Sequence, residues 1–170
     1  MKVTRGFIFD TVLQKEGGRV DHTVKGDIGG QTYGGISRKF NADFPGWQLL
    51  DEGRSVPDEM LFDRYLTHYW EPLGLDMVHS LFPELAAVIF DFGFVSGIGN
   101  GRAMLRHLCP NPNIAAALGG LASNKKARLL IRAERYRTRH HIKKSDKQFV
   151  AGHVERGMSW NDLFGIIDNL

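Results

Sequence analysis

The chain has 170 residues, 42% hydrophobic and 24% charged, with a formal charge of +3 and an isoelectric point near 9.1. That length and balance suit one folded domain with a sizeable core and exclude a fibrous or disordered chain, while the mild basic excess favours anionic surroundings (nucleic acid, cell wall or membrane surface) without choosing among them. A lone cysteine, Cys109, excludes an internal disulfide and with it a disulfide-stapled secreted scaffold.

The N-terminal residues carry Lys2 and Arg5 but meet Asp10 and Gln14 before an apolar core develops, and no small-residue cleavage site follows, so no signal peptide is expected. From Arg5 to Lys15, Ile8, Phe9, Val12 and Leu13 recur at helical spacing, and Gly17-Gly18 supplies the stop. Glu16 falls at the last turn, where the negative end of the helix dipole disfavours an ionised carboxylate, as suits a general acid. Residues Gly17 to Ile36 are too rich in glycine for a helix and predict a loop or small β-hairpin.

A short helix is expected from Ser37 to Phe44. Pro57-Asp58-Glu59 opens another, carrying Met60, Leu61, Tyr65 and Tyr69 toward Trp70 and expected to end at Pro72. Leu85 to Val95 is apolar nearly all round, the pattern of a central buried helix whose lone charge, Asp91, needs a partner. The longest apolar run, Leu85 to Phe90, is far short of the roughly 20 residues of a membrane span.

After a glycine break at Gly97-Ile98-Gly99-Asn100-Gly101, helical patterns return at Ala103–Leu108, Ile114–Leu121, Asn124–His141, Lys147–Glu155 and Trp160–Ile167. The segment from Asn124 is the most basic, with Lys125, Lys126, Arg128, Arg132, Arg135, Arg137 and Arg139 against Glu134. With no repeat and no long alternating strand, the chain reads as mainly α, a single domain over 1–170 with one half to about residue 96, which the resemblance given below implies is the catalytic one, and a helical C-terminal half from about 97.

Two acids flanking a glycine-rich loop are the raw material of glycoside hydrolysis. Glu16 suits the proton donor, Asp27 the group that holds water or stabilises the oxocarbenium-like state, and the Thr32 hydroxyl can orient that water. A carboxyl separation of about 5 to 5.5 Å would suit retention, and about 6.5 to 9.5 Å inversion. The same residue types also serve as caps and turn formers, and their spacing leaves both readings open. Gly29 and Gly30 would let backbone groups approach a glycan; Tyr33, Tyr69 and Trp70 are candidate sugar contacts, although aromatic residues at such spacing also build cores.

The histidines form no His-Glu-x-x-His pattern and one cysteine makes no zinc signature, so no metal or cofactor is expected. Cys109 reads as a small buried hydrophobe. Gly97 to Gly101 follows a helical run rather than a strand, against a nucleotide-binding loop. The basic helix fits a solvated face or a phosphate grip.

The order Glu16-Gly17-Gly18, Asp27-x-Gly29-Gly30-x-Thr32 and Gly35-Ile36, continued by Tyr69-Trp70-Glu71-Pro72-Leu73, Phe90-Asp91-Phe92, Ser96-Gly97 and Phe149 to Arg156, resembles glycoside hydrolase family 108, the phage and prophage N-acetylmuramidases related to lysozyme. The resemblance implies a lysozyme-like helical domain with a short Gly-rich loop or β-hairpin after the first helix. It also implies cleavage of the β-1,4 bond between N-acetylmuramic acid and N-acetylglucosamine in bacterial peptidoglycan. Glu16 would be the catalytic acid, with Asp27 and Thr32 attending the water; no cofactor, nucleic acid or membrane span is implied.

Departures stand at Arg19, where the family usually has an aromatic residue, at Val95 for asparagine and at His153 for tryptophan; an Asp-Gly-x-x-Gly-Pro stretch is missing after Cys109. A wall hydrolase made in the cytoplasm without a signal peptide would reach the wall or periplasm through a holin or a secretion apparatus, or on lysis. The residues also fit two further readings: a non-catalytic peptidoglycan-binding or secretion-assisting module on the same fold, and a nucleic-acid-binding protein using the arginine-rich helix.

Overall fold

Thr4 starts the first helix by accepting a hydrogen bond from the Phe7 N–H at 3.1 Å, and α1 runs Arg5–Lys15 as its apolar spacing predicts. The computed structural model describes residues 2–23, 30–144 and 147–164. They group into two units, Met1–His68 and Tyr69–Leu170.

In the first unit, the expected loop or hairpin is a three-stranded antiparallel sheet of β1 (Asp21–Thr23), β2 (Gln31–Tyr33) and β3 (Ile36–Ser37) in that order. Register pairs Asp21 with Tyr33, His22 with Thr32 and Thr23 with Gln31, then Thr32 with Ser37 and Tyr33 with Ile36. Gly34 and Gly35 join β2 to β3 with φ of +54° and +73°, the double positive φ of a type I′ turn. Gly34 is also a contact point: a Cβ there would stand 3.1 Å from Leu61 and 3.2 Å from Leu13.

The helices α2 (Gly46–Asp51) and α3 (Asp58–Tyr65) complete the unit. Phe9 packs against Phe62 and Tyr65 at 5.8 and 5.7 Å, and Ile8, Val12, Leu13, Tyr33, Ile36 and Leu61 are buried with them.

Two expectations change here. The helix over Ser37–Phe44 does not form: Ser37 ends β3, and the chain turns through Asn41, whose backbone and side-chain N–H groups both donate to the Ser37 carbonyl at 3.0 Å. Local bonding by asparagine competes with a helix, and the helix starts instead after Pro45, whose φ is already helical at −62°. Nor does Pro72 end a helix. α3 passes into a π-helical turn, Leu66–Trp70, and Pro72 lies inside the following α4 (Glu71–Leu73), which Gly74 closes at φ +69°. Proline has no N–H to donate and its ring presses on the carbonyl four residues back; a widened turn accommodates both.

The regular elements described in the second unit beyond α4 are all helices: α5 (Leu75–Leu81), α6 (Pro83–Ser96), α7 (Ile98–Leu108), α8 (Ile114–Leu118), α9 (Ser123–Lys144) and α10 (Lys147–Phe164). Its centre is α6, buried from Leu85 to Phe94, with α5, α7, α9 and α10 against it. Asp91, fully buried, has the partners its burial demands: Arg156 donates through Nε and Nη2 to one carboxylate oxygen at 2.8 and 2.6 Å, and Arg137 Nη1 stands 2.9 Å from the other.

The glycine break shrinks to Gly97, at φ +91°, with α7 starting at Ile98. Gly101 is in the helix because of packing: a Cβ there would lie 2.7 Å from Leu73 and 3.0 Å from the Gly93 Cα, so the bare backbone lets α7 close on α6. α8 stops at Leu118 rather than Leu121, and the segments expected at Lys147–Glu155 and from Trp160 are one continuous helix to Phe164, Ile167 lying outside the described residues. The mainly α fold with a small sheet after the first helix stands. No described helix is long and apolar enough to cross a membrane.

Candidate active site

Glu16 is the C-cap of α1. Beyond it the Gly18 N–H donates to the Leu13 carbonyl at 2.9 Å and the Gly17 N–H to the Gln14 carbonyl at 3.1 Å, with φ of +78° and +85°. This Schellman arrangement accounts for the paired glycines: any side chain at either position would resist the left-handed backbone. The half-buried Glu16 side chain therefore sits on a fixed helix end instead of a loose loop.

Thr32 is on the central strand. Tyr33 and Ile36 of the sheet are buried, so the alternation of a strand puts Thr32 on the opposite face, in one row with its cross-strand neighbours His22 and Ser37. The Thr32 hydroxyl donates to the Gly30 carbonyl at 3.3 Å and retains acceptor capacity. Gly30, at φ +71°, leads into the strand. The β2–β3 turn ties this sheet to the helix of Glu16, because Gly34 rests on Leu13, three residues before the acid, and accepts a hydrogen bond from the Tyr65 hydroxyl at 2.6 Å.

A polar ladder holds the strands edgewise. Gln31 donates to both Asp21 carboxylate oxygens at 3.0 and 2.9 Å and accepts from Arg38 at 2.7 Å; Arg38 in turn forks onto Asp51 with both bonds at 2.7 Å. That guanidinium holds the Asp51 carboxyl below the usual carboxylate range. Arg19, the residue after the two glycines, forks onto Asp58 at 2.5 and 2.6 Å, straps the segment after α1 to the start of α3, and likewise holds the Asp58 carboxyl low. The ladder joins residues distant in the chain, which no local pattern carries, and the row of His22, Thr32 and Ser37 has only the period-2 alternation around Thr32 as its signal in the sequence.

Of the other expected site residues, Asp27 and Gly29 lie outside the described residues. Tyr33 is buried, and burial, partly opposed by the charge of Arg19, pushes its phenol up. Tyr69 and Trp70 belong to the second unit. The Tyr69 ring is half-buried, 4.5 Å from Phe94. Trp70, a candidate sugar contact or core residue, is 0% exposed; its indole N–H donates to Asp76 at 2.8 Å and its ring packs on Phe90 and His79. Cys109 is buried and burial pushes its thiol up, away from the reactive thiolate. No group of three or more His, Cys, Asp or Glu among the described residues could hold a metal ion.

The model of one family, glycosyl hydrolase 108, matches residues 9–97, just over half of the chain. No curated protein and no solved structure matches it. The matched span contains α1 from Phe9 onward with Glu16, its glycine cap, the sheet with Thr32, and the buried helix of Asp91. The chain belongs to the glycosyl hydrolase 108 family and is a glycoside hydrolase.

Proposed function

We propose that the protein is an N-acetylmuramidase that cleaves the β-1,4 bond between N-acetylmuramic acid and N-acetylglucosamine in bacterial peptidoglycan. Protonated Glu16 donates to the glycosidic oxygen as the bond to the anomeric carbon breaks, and a water held by Asp27 and Thr32 supplies the new oxygen. Gly29 and Gly30 give the glycan close access to the backbone. The enzyme works at the wall or in the periplasm, reached with a holin or a secretion apparatus or on lysis.

One observation carries the reading: in a chain of this family, the glutamate stands on the capped end of α1 while the turn next to Thr32 rests on the same helix end through Leu13. Both groups are thereby held on ordered backbone, which acid catalysis with a positioned water requires.

The test is Glu16→Gln, which keeps the size of the side chain and removes the carboxylic proton. Release of reducing ends from purified peptidoglycan should fall by about 10²- to 10⁴-fold with the circular dichroism unchanged. Digestion in heavy-oxygen water should label C1 of N-acetylmuramic acid. Label on N-acetylglucosamine, or full lysis by the variant, would overturn the proposal.

A further inference from the structure

A groove of about 490 Å³ in the second unit is lined by none of the residues given a role in that reaction. Arg132, Arg135, Arg139, Lys143 and Lys144 of α9 line it, together with Tyr136. Positions 132, 135, 139 and 143 recur at helical spacing, so they form one stripe, about 16 Å long at a rise of 1.5 Å per residue. All five cations are exposed. Among the described residues none of them is ion-paired with a carboxylate. Glu134, the only acid of α9, is two positions from Arg132 and from Tyr136, hence on the opposite side of the helix, and does not line the groove. Like charges three and four residues apart repel, a cost that a bound anion would relieve.

The wall of the groove is aromatic. His107 and Tyr136 stand 5.1 Å apart, and Phe92, fully buried, presses its ring perpendicular to Tyr136 at 6.0 Å and to His140 at 5.1 Å. Burial, then the charge of Lys144, push the His140 imidazole down, so at neutral pH it offers an uncharged ring. Arg132 is itself placed, its Nη2 donating to the His107 carbonyl at 3.4 Å.

We propose that this groove binds a phosphate-bearing glycan or polyol polymer of the bacterial envelope, its phosphates on the arginine forks and its sugar rings against Tyr136 and His107. A single carboxylate would leave most of the five cations unneutralised. A phosphate in each repeat matches both the charge and the stripe, and the planar guanidinium fork suits phosphate oxygens. Apolar ring faces beside the cations suit a sugar more than a bare inorganic anion. That the polymer comes from the envelope rests on the muramidase reading; the phosphate chemistry of the groove does not.

The experiment titrates fluorescently labelled purified wall teichoic acid against the full chain and against Arg135→Gln/Arg139→Gln, in parallel with hydrolysis of phosphate-free peptidoglycan. Binding should weaken about tenfold or more in the double variant and fall steeply with salt, while hydrolysis stays at the parental rate. Equal binding by both proteins, no binding by either, or tighter binding of an oligothymidylate of the same charge would overturn the groove proposal. Teichoic acid binding without hydrolysis would instead count against the muramidase reading and leave the groove standing.

Discussion

In the first unit, charged side chains meet across open edges. Arg38 forks onto Asp51 and Arg19 onto Asp58, each with about half of its surface in water. In the second unit the corresponding chemistry is sealed: Asp91 is 0% exposed and its partners Arg137 and Arg156 are 1% and 12% exposed. An exposed pair exchanges one solvated state for another, so its loss is easily absorbed, whereas a buried charge cannot be left alone. Precision in the first unit therefore falls to the backbone, through Gly17, Gly18, Gly34 and Gly35. In the second, where helices pack directly, it falls to the buried ionic knot and to the close approach at Gly101.

The largest effect should come from the knot. Asp91→Ala strands Arg137 and Arg156 in the interior and should destabilise the protein by about 3 to 5 kcal/mol, read as the shift of the urea transition. A loss below about 1 kcal/mol would place the knot with the exposed pairs and dissolve the distinction.

Acid should find the second unit first. Burial foremost, then the charges of His153, Arg137 and His140 against the opposing pull of Asp91, lowers the His141 imidazole from its ordinary 6.5 to about 4. Burial likewise lowers His153, which stacks on it at 4.2 Å, with Arg137 and Arg156 adding to the shift and Asp91 opposing it. The unfolded chain thus takes up these protons more readily, so the contribution is complete above pH 6.5 and drains as the pH falls toward 4. Asp43, Asp51 and Asp58 are held below their ordinary 3.8 by arginines, so what they add is lost only at lower pH. His141→Gln should flatten the upper part of the acid profile and leave the lower part in place. A variant with the parental profile would remove the imidazole from the account.

Smaller effects separate the two uses of glycine. Gly101→Ala puts a methyl 2.7 Å from Leu73 and should cost about 1 to 3 kcal/mol by overpacking, recoverable in part by trimming Leu73 to valine. Gly17→Ala meets no atom within 4 Å and should cost about 1 to 2 kcal/mol through its φ of +85° alone, with no rescue by any neighbour. Activity should fall further than stability for Gly17→Ala, since the cap that positions Glu16 is what it disturbs.

How far these features are legible in the residues varies with their range. The helix α1, its glycine stop and the burial of α6 follow from local spacing, and the need of Asp91 for a partner follows from its apolar surroundings. That the partners are Arg137 and Arg156 is a matter of which helices α6 meets, which no local pattern carries. Ser37–Phe44 misled because its composition tolerates a helix while Asn41 bonds locally and Pro45 resets the start. Pro72 misled because its usual conflict is resolved by a π turn. At the candidate site, the place of Glu16 at the end of α1 is readable from local spacing, whereas the burial of Tyr33 and Trp70 is set by neighbours distant in the chain.

The smallest expected effect is the sharpest check on the first unit. Asp51→Asn removes the fork on Arg38, yet Arg38 keeps its bond to Gln31 and its guanidinium still lies over the Trp47 ring at 5.5 Å. Both partners of the lost pair are solvated, so the urea midpoint should not move measurably, and the variant and parent should stay indistinguishable as salt is raised. A salt-dependent loss of stability would mean that the ladder from Asp21 to Asp51 acts as a unit and fixes β2 electrostatically. The strand of Thr32 would then be held by charge as firmly as α6 is, and the glycine turns would be only its hinges.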